Sequence, residues 1–269
     1  MEKTFCVEIS DFSLSETLEC GQCFRWTPTG SGYRGVVGRL LINMHTEGGK
    51  LVVSGCSKHD YDTWFARYLG LDGDYARYKE ILSADPTLKQ AIGFAPGIRI
   101  MRQPFWETLC SFIISQNNNI PRITGIIERL CDNFGERCDG YFCFPEAETL
   151  APLVPDDLAP IRAGFRAAYI IDAARKVADG TVSEHAIEKM SLSDARASLM
   201  QIKGVGPKVA DCVLLFGLGR LDAFPEDVWI KRAMAQLFPN GLPDYALPIA
   251  GIAQQYIFHY ARKSGIIER

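Results

Sequence analysis

Residues 202–232 read IKGVGPKVADCVLLFGLGRLDAFPEDVWIKR. Within this stretch a Gly-Val-Gly turn at 204–206 runs directly into Pro207, and proline is favoured at the first position of a helix. A tight glycine turn between two helices brings backbone N–H groups close to a phosphate. The stretch therefore predicts a helical hairpin, over about residues 192–217, whose turn suits a phosphate backbone.

Two side chains of the same stretch suit chemistry. Lys208 lies in the first helical turn, where the helix dipole disfavours its charged form. Asp227 follows a Phe-Pro-Glu sequence, and a neutral amine beside a carboxylate is a nucleophile with an electrostatic partner. A lysine at a helix start is more often simply solvated, and Asp227 also suits the N-cap of the next helix. The turn alone leaves both interpretations open.

The composition indicates a globular protein with a full core. The chain has 269 residues, of which 47% are hydrophobic, and a formal net charge of −3. No run of about 18 apolar residues predicts a membrane span, and the N-terminal residues lack the basic and apolar regions of a secretion signal. The net charge argues mildly against a nucleic-acid partner, but a local basic face is sufficient for one.

The cysteines are typical of reduced thiols. Nine of them occur in the chain, and because no leader sequence is predicted, they favour a cytosolic protein. Cys20 and Cys23 form a CGQC pair, but a second CxxC is absent and the four histidines are scattered along the chain. A zinc site is therefore not expected.

The pattern changes along the chain from β structure to helices. Short apolar or alternating runs at 33–37, 39–44 and 50–54, separated by glycine turns, predict an antiparallel β-rich region. Helical spacing begins near Asp60. After the Ala95-Pro96-Gly97 step, helices are predicted at 104–115, 120–134, 146–152, 156–178, 191–202, 207–217, 226–237 and 245–262. We therefore predict an α+β protein with a β-rich domain and trailing helices at 1–96, followed by an all-helical domain at 97–269.

Three further motifs suit the binding of a nucleic acid. Residues 115–123, SQNNNIPRI, contain three asparagines that favour a break between helices, and their amides could enter a duplex when a base is extruded. Residues 164–166 place an aromatic ring next to a guanidinium. Gln254 and Phe258 are four residues apart, so they share a helix face that suits a purine. Each motif also has an ordinary interpretation as a capped loop or as core packing.

Taken together, these motifs resemble the helix-hairpin-helix Gly/Pro…Asp (HhH-GPD) superfamily of DNA glycosylases, and within it the 8-oxoguanine branch. GVGPKVADC followed by Pro-x-Asp-Val is similar to the segment that carries the catalytic lysine, and FIISQNNNIPRITGIIERLC is similar to an SNNNIxRI motif. The resemblance covers most of the chain and is strongest between Arg99 and Asp227. It implies a bifunctional glycosylase and AP lyase that flips 8-oxoguanine out of double-stranded DNA and excises it in base-excision repair.

The resemblance also implies roles for individual residues. Lys208 would attack the sugar C1′ and form a Schiff base, while Asp227 would stabilise the positive charge on the sugar. The Gly21 carbonyl would accept the N7 proton that 8-oxoguanine has and guanine lacks, and an unmatched buried acceptor discriminates strongly. The implied base pocket consists of Gly21, Cys212, Pro225, Gln254 and Phe258.

The DNA contacts follow from the resemblance in the same way. Asn117 would enter the space left by the base, Phe165 would wedge into the stack, and Arg122 and Arg166 would bind the unpaired cytosine. The full set of implied DNA-binding residues is Asn117, Arg122, Phe165, Arg166, Gly204, Val205 and Gly206. Trp229 is a departure, because several members have a histidine there that contacts a phosphate, and an indole N–H replaces it only partly.

No catalytic cofactor is expected. No cysteine follows Cys212, which excludes the C-terminal iron–sulfur cluster of the endonuclease III branch. The resemblance implies that backbone carbonyls of Met200, Ile202 and Val205 hold a structural monovalent or divalent cation at the hairpin.

The predicted partner is double-stranded DNA containing 8-oxoguanine, and no association with a membrane is expected. The protein is predicted to be a monomer, cytoplasmic and nucleoid-associated if prokaryotic and nuclear if eukaryotic. One alternative is a related glycosylase for another damaged or mismatched base, although Lys208 argues against the branches that use only water. A second alternative is a non-catalytic DNA-binding module, for which the hairpin alone would suffice.

Overall fold

The computed structural model describes residues 4–266, which form an N-terminal antiparallel sheet followed by a helical body. The strands are β1 (Phe5–Glu8), β2 (Trp26–Pro28), β3 (Tyr33–Val37), β4 (Leu40–Glu47), β5 (Lys50–Ser54), β6 (Arg137–Cys138) and β7 (Tyr141–Phe142). The helices are α1 (Leu14–Leu18), α2 (Lys58–Asp60), α3 (Ala66–Tyr68), α4 (Tyr75–Leu82), α5 (Pro86–Phe94), α6 (Phe105–Ser115), α7 (Ile120–Phe134), α8 (Ala147–Leu150), α9 (Arg166–Ala178), α10 (Glu184–Ile187), α11 (Leu192–Leu199), α12 (Pro207–Phe216), α13 (Val228–Leu237) and α14 (Ala250–Lys263). Three tighter or wider helical segments join them, a π-type segment at Tyr61–Phe65 and 3₁₀ segments at Pro155–Ile161 and Asp244–Ile249.

The predicted α+β organisation is confirmed. The sheet has the strand order β1-β5-β4-β3-β2, with all neighbours antiparallel. The three predicted strands correspond to β3, β4 and β5. Alternate residues of β4 and β5, such as Ile42, Met44, Leu51 and Val53, are at most 1% exposed, because successive side chains of a strand point to opposite faces. This buried face packs on α1 and on the helical segment around Phe65.

The larger core belongs to the helices. It begins before the predicted domain boundary, since Leu82 of α4 and Leu88 of α5 are fully buried in the same cluster as the later helices. The division at residue 96 stays a prediction. Within residues 4–266 no helix is both long and apolar enough to cross a membrane.

Two details of the helical region differ from the sequence prediction. The helix predicted over 156–178 is wrong, because the 3₁₀ segment ends at Ile161 and α9 starts only at Arg166. Between them Arg162 (φ 58°) and Gly164 (φ 61°) adopt left-handed conformations, which stop a right-handed helix. The short β6–β7 hairpin was also missed, since two-residue strands carry almost no periodicity.

Gln22 joins the sheet domain to the helical body. This residue is 1% exposed. Its amide group donates to the carbonyls of Thr17 (2.9 Å) and Arg99 (2.7 Å), and its Oε1 accepts from the N–H of Met101 (2.9 Å). Gln103 in turn donates to the Gln22 carbonyl at 2.7 Å. A fully satisfied buried network of this kind fixes the segment that contains Gly21 against the helices.

Candidate active site and nucleic-acid interface

The hairpin predicted from the sequence is formed by α11, a turn and α12. Gly204 has φ +80°, and a Cβ on it would lie 2.2 Å from the Tyr169 ring of α9, so only glycine fits this turn. Asp172 of α9 accepts the N–H of Lys203 at 2.7 Å. Burial raises the pKa of Asp172, but hydrogen bonds from Lys176 and Lys203 outweigh it and leave the pKa below its ordinary value. The turn is thus held by a carboxylate that stays charged.

The turn places Lys208 at the edge of a cleft. Gly206 is the N-cap of α12 and Pro207 is its first residue. Lys208 is half-buried, and its Nζ lies 5.1 Å from the centroid of the Phe112 ring, within the range of a cation–π contact. The cleft has a volume of about 520 Å³. Its lining consists of Gly21, Phe24, Phe112, Ser115, Asn118, Asn119, Ile120, Pro121, Ile123, Lys208, Asp227, Trp229, Phe258 and Arg262.

Asp227 reaches the same cleft from α13. Its side chain accepts the N–H of Ile230 at 2.8 Å, and its backbone is extended, as expected for an N-cap. The capping interpretation is therefore confirmed. Asp227 and Lys208 also both line an adjoining groove of about 480 Å³ together with Asn117 and Lys231. A carboxylate fixed by its cap hydrogen bond faces the same space as the lysine amine.

The five predicted base-pocket residues divide into two groups. Gly21 and Phe258 line the cleft, and a Cβ on Gly21 would lie 3.6 Å from the Phe258 ring. Cys212, Pro225 and Gln254 are buried and do not contribute to the cleft lining. Gln254 donates to the Pro225 carbonyl at 3.2 Å, and its own Oε1 is buried without a partner. An unpaired buried acceptor is costly, and this oxygen lies outside the cleft lining.

Cys212 lies below Lys208 on α12. Burial raises the pKa of its thiol to about 11, against the opposing effect of the Lys208 amine. The thiol therefore remains protonated and acts as a small apolar side chain.

The CGQC pair at the other wall has a structural role. The thiols of Cys20 and Cys23 donate to the carbonyls of Thr17 (3.1 Å) and Leu18 (3.4 Å). Burial raises the pKa of Cys20 to about 12 and that of Cys23 well above its ordinary value. Gln255 of α14 donates to the Cys20 carbonyl at 3.0 Å. This bond holds the Gly21 segment, whose φ of +90° favours glycine, next to Phe258.

The asparagine run forms the loop between α6 and α7. Asn119 is the N-cap of α7 and accepts the N–H of Arg122 at 3.0 Å, while Asn118 donates to the Ile114 carbonyl at 3.0 Å. Asn117 is exposed and has a left-handed backbone with φ +47°, which asparagine tolerates better than most residues. Two asparagines therefore build the loop and present the third at its tip.

Phe165 and Arg166 lie at the start of α9 beside this loop. Phe165 is 54% exposed, and its ring packs edge-on against Tyr169. Arg166 is only 3% exposed, and its guanidinium donates to the backbone carbonyls of Gln116 and Asn117 (3.1 Å) and of Ala163 (3.2 Å). Burial, and then the charge of Arg122, lowers the pKa of Arg166. In the protein alone, Arg166 thus holds the Asn117 loop, while Arg122 is exposed.

The sequence interpretation missed Arg262, Phe112 and Gln22. The guanidinium of Arg262 lies 5.1 Å from the centroid of the Phe258 ring and, like Trp229, lines the cleft. Its spacing of four residues from Phe258 places both on one helix face, which was a usable signal. Phe112 and Gln22 carry no such signal, because a buried phenylalanine and a glutamine are unremarkable until their neighbours are known.

Comparison with known proteins gives matches along nearly the whole chain. Residues 4–109 match the 8-oxoguanine DNA glycosylase N-terminal domain family, and residues 110–244 match the HhH-GPD superfamily of base excision DNA repair proteins. An N-glycosylase/DNA lyase of Saccharomyces cerevisiae is 34% identical over 254 residues, which cover 83% of this chain and 67% of that protein. An N-glycosylase/DNA lyase of Arabidopsis thaliana is 30% identical over 253 residues, with 88% and 68% covered.

Solved structures agree with these sequence matches. The Clostridium acetobutylicum 8-oxoguanine glycosylase/lyase, in complex with double-stranded DNA containing cytosine opposite 8-oxoguanine, has a TM-score of 0.90 and 32% identity, with 99% of each chain covered. A structure of MBOgg1 in complex with a low affinity DNA ligand has a TM-score of 0.91 and 44% identity, with 97% of this chain and 96% of that chain covered.

Proposed function

Because the chain belongs to the HhH-GPD superfamily of base excision DNA repair proteins and carries the N-terminal domain of the 8-oxoguanine DNA glycosylases, we propose that it excises 8-oxoguanine opposite cytosine through a Schiff base on Lys208. The chain is a DNA N-glycosylase with AP lyase activity. Its proposed substrate is double-stranded DNA in which the lesion is flipped into the cleft that Gly21 and Phe258 line.

The proposed chemistry uses two side chains. The Lys208 amine attacks C1′ of the sugar as the N-glycosidic bond breaks, and the Asp227 carboxylate stabilises the positive charge that develops on the sugar. The resulting imine acidifies the neighbouring C2′ proton, so β-elimination can cut the strand. The observation that carries this proposal is that Lys208 and Asp227 line one cleft with Gly21 and Phe258.

The decisive experiment is borohydride trapping on an 8-oxoguanine:cytosine duplex. Wild type should become covalently linked to DNA, and Lys208→Gln should lose both the link and base release while still binding the lesion, because an amide cannot form an imine. Lys203→Gln, an exposed lysine of the same hairpin, is the matched control and should remain trappable. If Lys208→Gln were trapped as efficiently as wild type, Lys208 could not be the residue that forms the Schiff base.

The same assay separates the alternatives. A related glycosylase for another base would be trapped on duplexes with alkylated or mismatched bases and leave 8-oxoguanine in place. A non-catalytic DNA-binding module would bind every duplex without releasing a base or forming a covalent link.

Opposite-base discrimination is assigned to two arginines. The rigid N–H fork of a guanidinium suits the O2 and N3 acceptors of an unpaired cytosine. Arg122 is exposed next to the Asn117 loop, and Arg166, which lies beneath the loop, would have to exchange its backbone partners for the base. Single-turnover excision opposite each of the four bases should be fastest with cytosine, and Arg122→Ala or Arg166→Ala should reduce that difference.

The exposed Arg137 of the β6–β7 hairpin provides a control, since Arg137→Ala should preserve the wild-type order of rates. Equal wild-type rates opposite all four bases would refute the preference. A preference that survives both Arg122→Ala and Arg166→Ala would refute the assignment to these arginines. Thermal melting curves distinguish the two causes of a changed preference. A variant that lacks only the base contact should melt like wild type, whereas a variant with a disordered Asn117 loop should melt at a lower temperature.

A structural cation at the hairpin is a second part of the proposal. The carbonyls of Met200, Ile202 and Val205 lie in the turn between α11 and α12. The Ile202 carbonyl accepts the Val205 N–H at 3.0 Å, which leaves its second lone pair for an ion. At constant ionic strength, at least one of potassium, sodium and magnesium should raise the melting temperature of the protein above its value in a bulky organic cation. Equal melting in all three ions and in a bulky organic cation would contradict this site.

A further inference from the structure

Two thiols meet across the short β6–β7 hairpin, far along the chain from the catalytic segment. The Sγ atoms of Cys138 and Cys143 are 3.0 Å apart. Cys138 is paired with Tyr141, and the N–H of Cys143 donates to the Glu136 carbonyl at 2.9 Å. The two cysteines therefore lie diagonally on one face of the hairpin. In a disulfide the two Cβ vectors face each other and the S–S bond is about 2.05 Å long. The two Sγ atoms would therefore have to approach each other by only about 1 Å.

The two sulfur atoms differ in accessibility. Cys138 is half-buried, whereas Cys143 is 6% exposed. Burial, and next the hydrogen bond with Cys138, raises the pKa of Cys143 to about 11. Cys143 therefore keeps its proton, and the less buried Cys138 is the sulfur that a dissolved reagent reaches first. Cys20 and Cys23, the other close pair in the sequence, instead donate to backbone carbonyls.

The hairpin that carries this pair connects the two parts of the molecule. Arg39, in the turn between β3 and β4, pairs with Glu136, and the hydroxyl of Tyr141 donates to the Arg39 carbonyl at 2.8 Å. On the other side, Arg25 donates to the Phe142 carbonyl at 2.8 Å and pairs with Glu107 of α6 at 3.2 Å. A covalent bond within the hairpin would restrain a segment that contacts both the sheet and the helix leading to the Asn117 loop.

We propose that Cys138 and Cys143 form a reversible dithiol–disulfide site that is oxidised by hydrogen peroxide. The Cys138 thiolate attacks one oxygen of the peroxide, the O–O bond breaks, and Cys138 becomes a sulfenic acid as one water leaves. The Cys143 sulfur then attacks the Cys138 sulfur, an S–S bond forms, the S–O bond breaks, and a second water leaves. Two thiols lose two electrons and two protons, peroxide becomes two waters, and a dithiol reductant reverses the reaction.

The first test is mass spectrometry of the reduced protein after stepwise addition of peroxide. We expect a loss of about 2 Da, mapped by proteolysis to a Cys138–Cys143 cross-link, and its reversal by dithiothreitol. Both residues should become resistant to alkylation at peroxide doses that leave the exposed Cys6 alkylatable. Cys138 and Cys143 that stay alkylatable when Cys6 is already oxidised would overturn the proposal, and so would a cross-link that maps elsewhere.

Single variants assign the order of events. Cys143→Ser should stop at a sulfenic acid on Cys138, detectable with dimedone, whereas Cys138→Ser should leave the buried Cys143 unreacted. The opposite labelling would overturn the assigned roles. Cys110→Ser, which removes a buried thiol of α6, is the control and should still form the cross-link.

Thermal unfolding gives a readout of the hairpin's connecting role. A disulfide that constrains the unfolded chain should raise the melting temperature of oxidised wild type by roughly 3–8 °C, and the oxidised Cys138→Ser and Cys143→Ser variants should show no such rise. A lower melting temperature in oxidised wild type would mean that the bond distorts the hairpin, which would contradict a disulfide compatible with this fold.

Discussion

Asp227 combines two tasks in one side chain, and the two can be separated. Its Oδ1 accepts the N–H of Ile230 at 2.8 Å as the cap of α13, and its charge faces the cleft with Lys208. Asparagine is as good an N-cap as aspartate but carries no charge. Alanine removes both properties. Comparing the two substitutions therefore separates the contribution of Asp227 to helix capping from its contribution to catalysis.

We expect Asp227→Asn to keep nearly the wild-type melting temperature and to slow base excision by about 10²- to 10⁴-fold, since a charged catalytic partner is lost. Asp227→Ala should be equally slow and also less stable by about 1 kcal/mol. Single-turnover excision and thermal unfolding of both variants provide the measurement. Wild-type rates in Asp227→Asn would show that Asp227 only caps its helix.

At the level of single elements, α14 contributes more to the cleft than the sequence indicated. Gln254 faces Pro225, Gln255 holds the Cys20 carbonyl, and Phe258 and Arg262 line the cleft. Arg262 is exposed, lies against the Phe258 ring and lines the same cleft as Trp229. It brings a positive charge to the side of the cleft where Trp229 provides none, and such a charge suits a DNA phosphate.

Arg262→Ala should therefore weaken DNA binding to a similar extent for damaged and undamaged duplexes. The slope of log K against log salt should fall in magnitude by about 1, because one phosphate contact is lost. Lys263→Ala removes the neighbouring charge, which is exposed outside the cleft lining, and should leave the slope closer to that of wild type. A larger change in Lys263→Ala than in Arg262→Ala would refute the role of Arg262.

At the level of the whole molecule, the sheet and the helical body are joined through buried polar groups. Gln22 is the centre of this junction, with hydrogen bonds to Thr17, Arg99 and Met101. Its removal would leave the Met101 N–H buried without its acceptor, at a cost of about 1–3 kcal/mol for each such group. The Gly21 segment would also lose its support next to the cleft.

We expect Gln22→Ala to lower the free energy of unfolding by at least about 2 kcal/mol. It should also reduce excision more than DNA binding, because the α11–α12 hairpin, for which we propose the phosphate contacts, is distant from Gln22 in sequence. Gln236→Ala, at an exposed position of α13, is the matched control and should change neither quantity. Chemical denaturation and single-turnover assays test both. Equal stability of Gln22→Ala and wild type would contradict the role of the junction.

Local patterns predicted the elements of this fold better than the contacts between them. The Gly-Val-Gly turn, Pro207 and the spacing of β3 to β5 act over a few residues, so periodicity and capping rules identify them. The break at Arg162 was missed although Pro160 and Gly164 lie on either side of it and both residue types interrupt helices. The buried position of Arg166 also depends on carbonyls of residues 116 and 117, some 50 positions away, which no local rule can supply.

The hydrogen bond from Gln255 to Cys20 spans 235 positions of the chain, and this separation bears on the order in which the protein acquires its properties during synthesis. The α11–α12 hairpin consists of neighbouring residues and can form as soon as they are made, whereas the wall that contains Gly21 waits for α14. Contacts of such long range form late, because loop closure has to precede them. With the roles proposed for these two segments, a nascent chain would form its DNA-binding hairpin before it forms the wall that distinguishes a damaged base from an intact one.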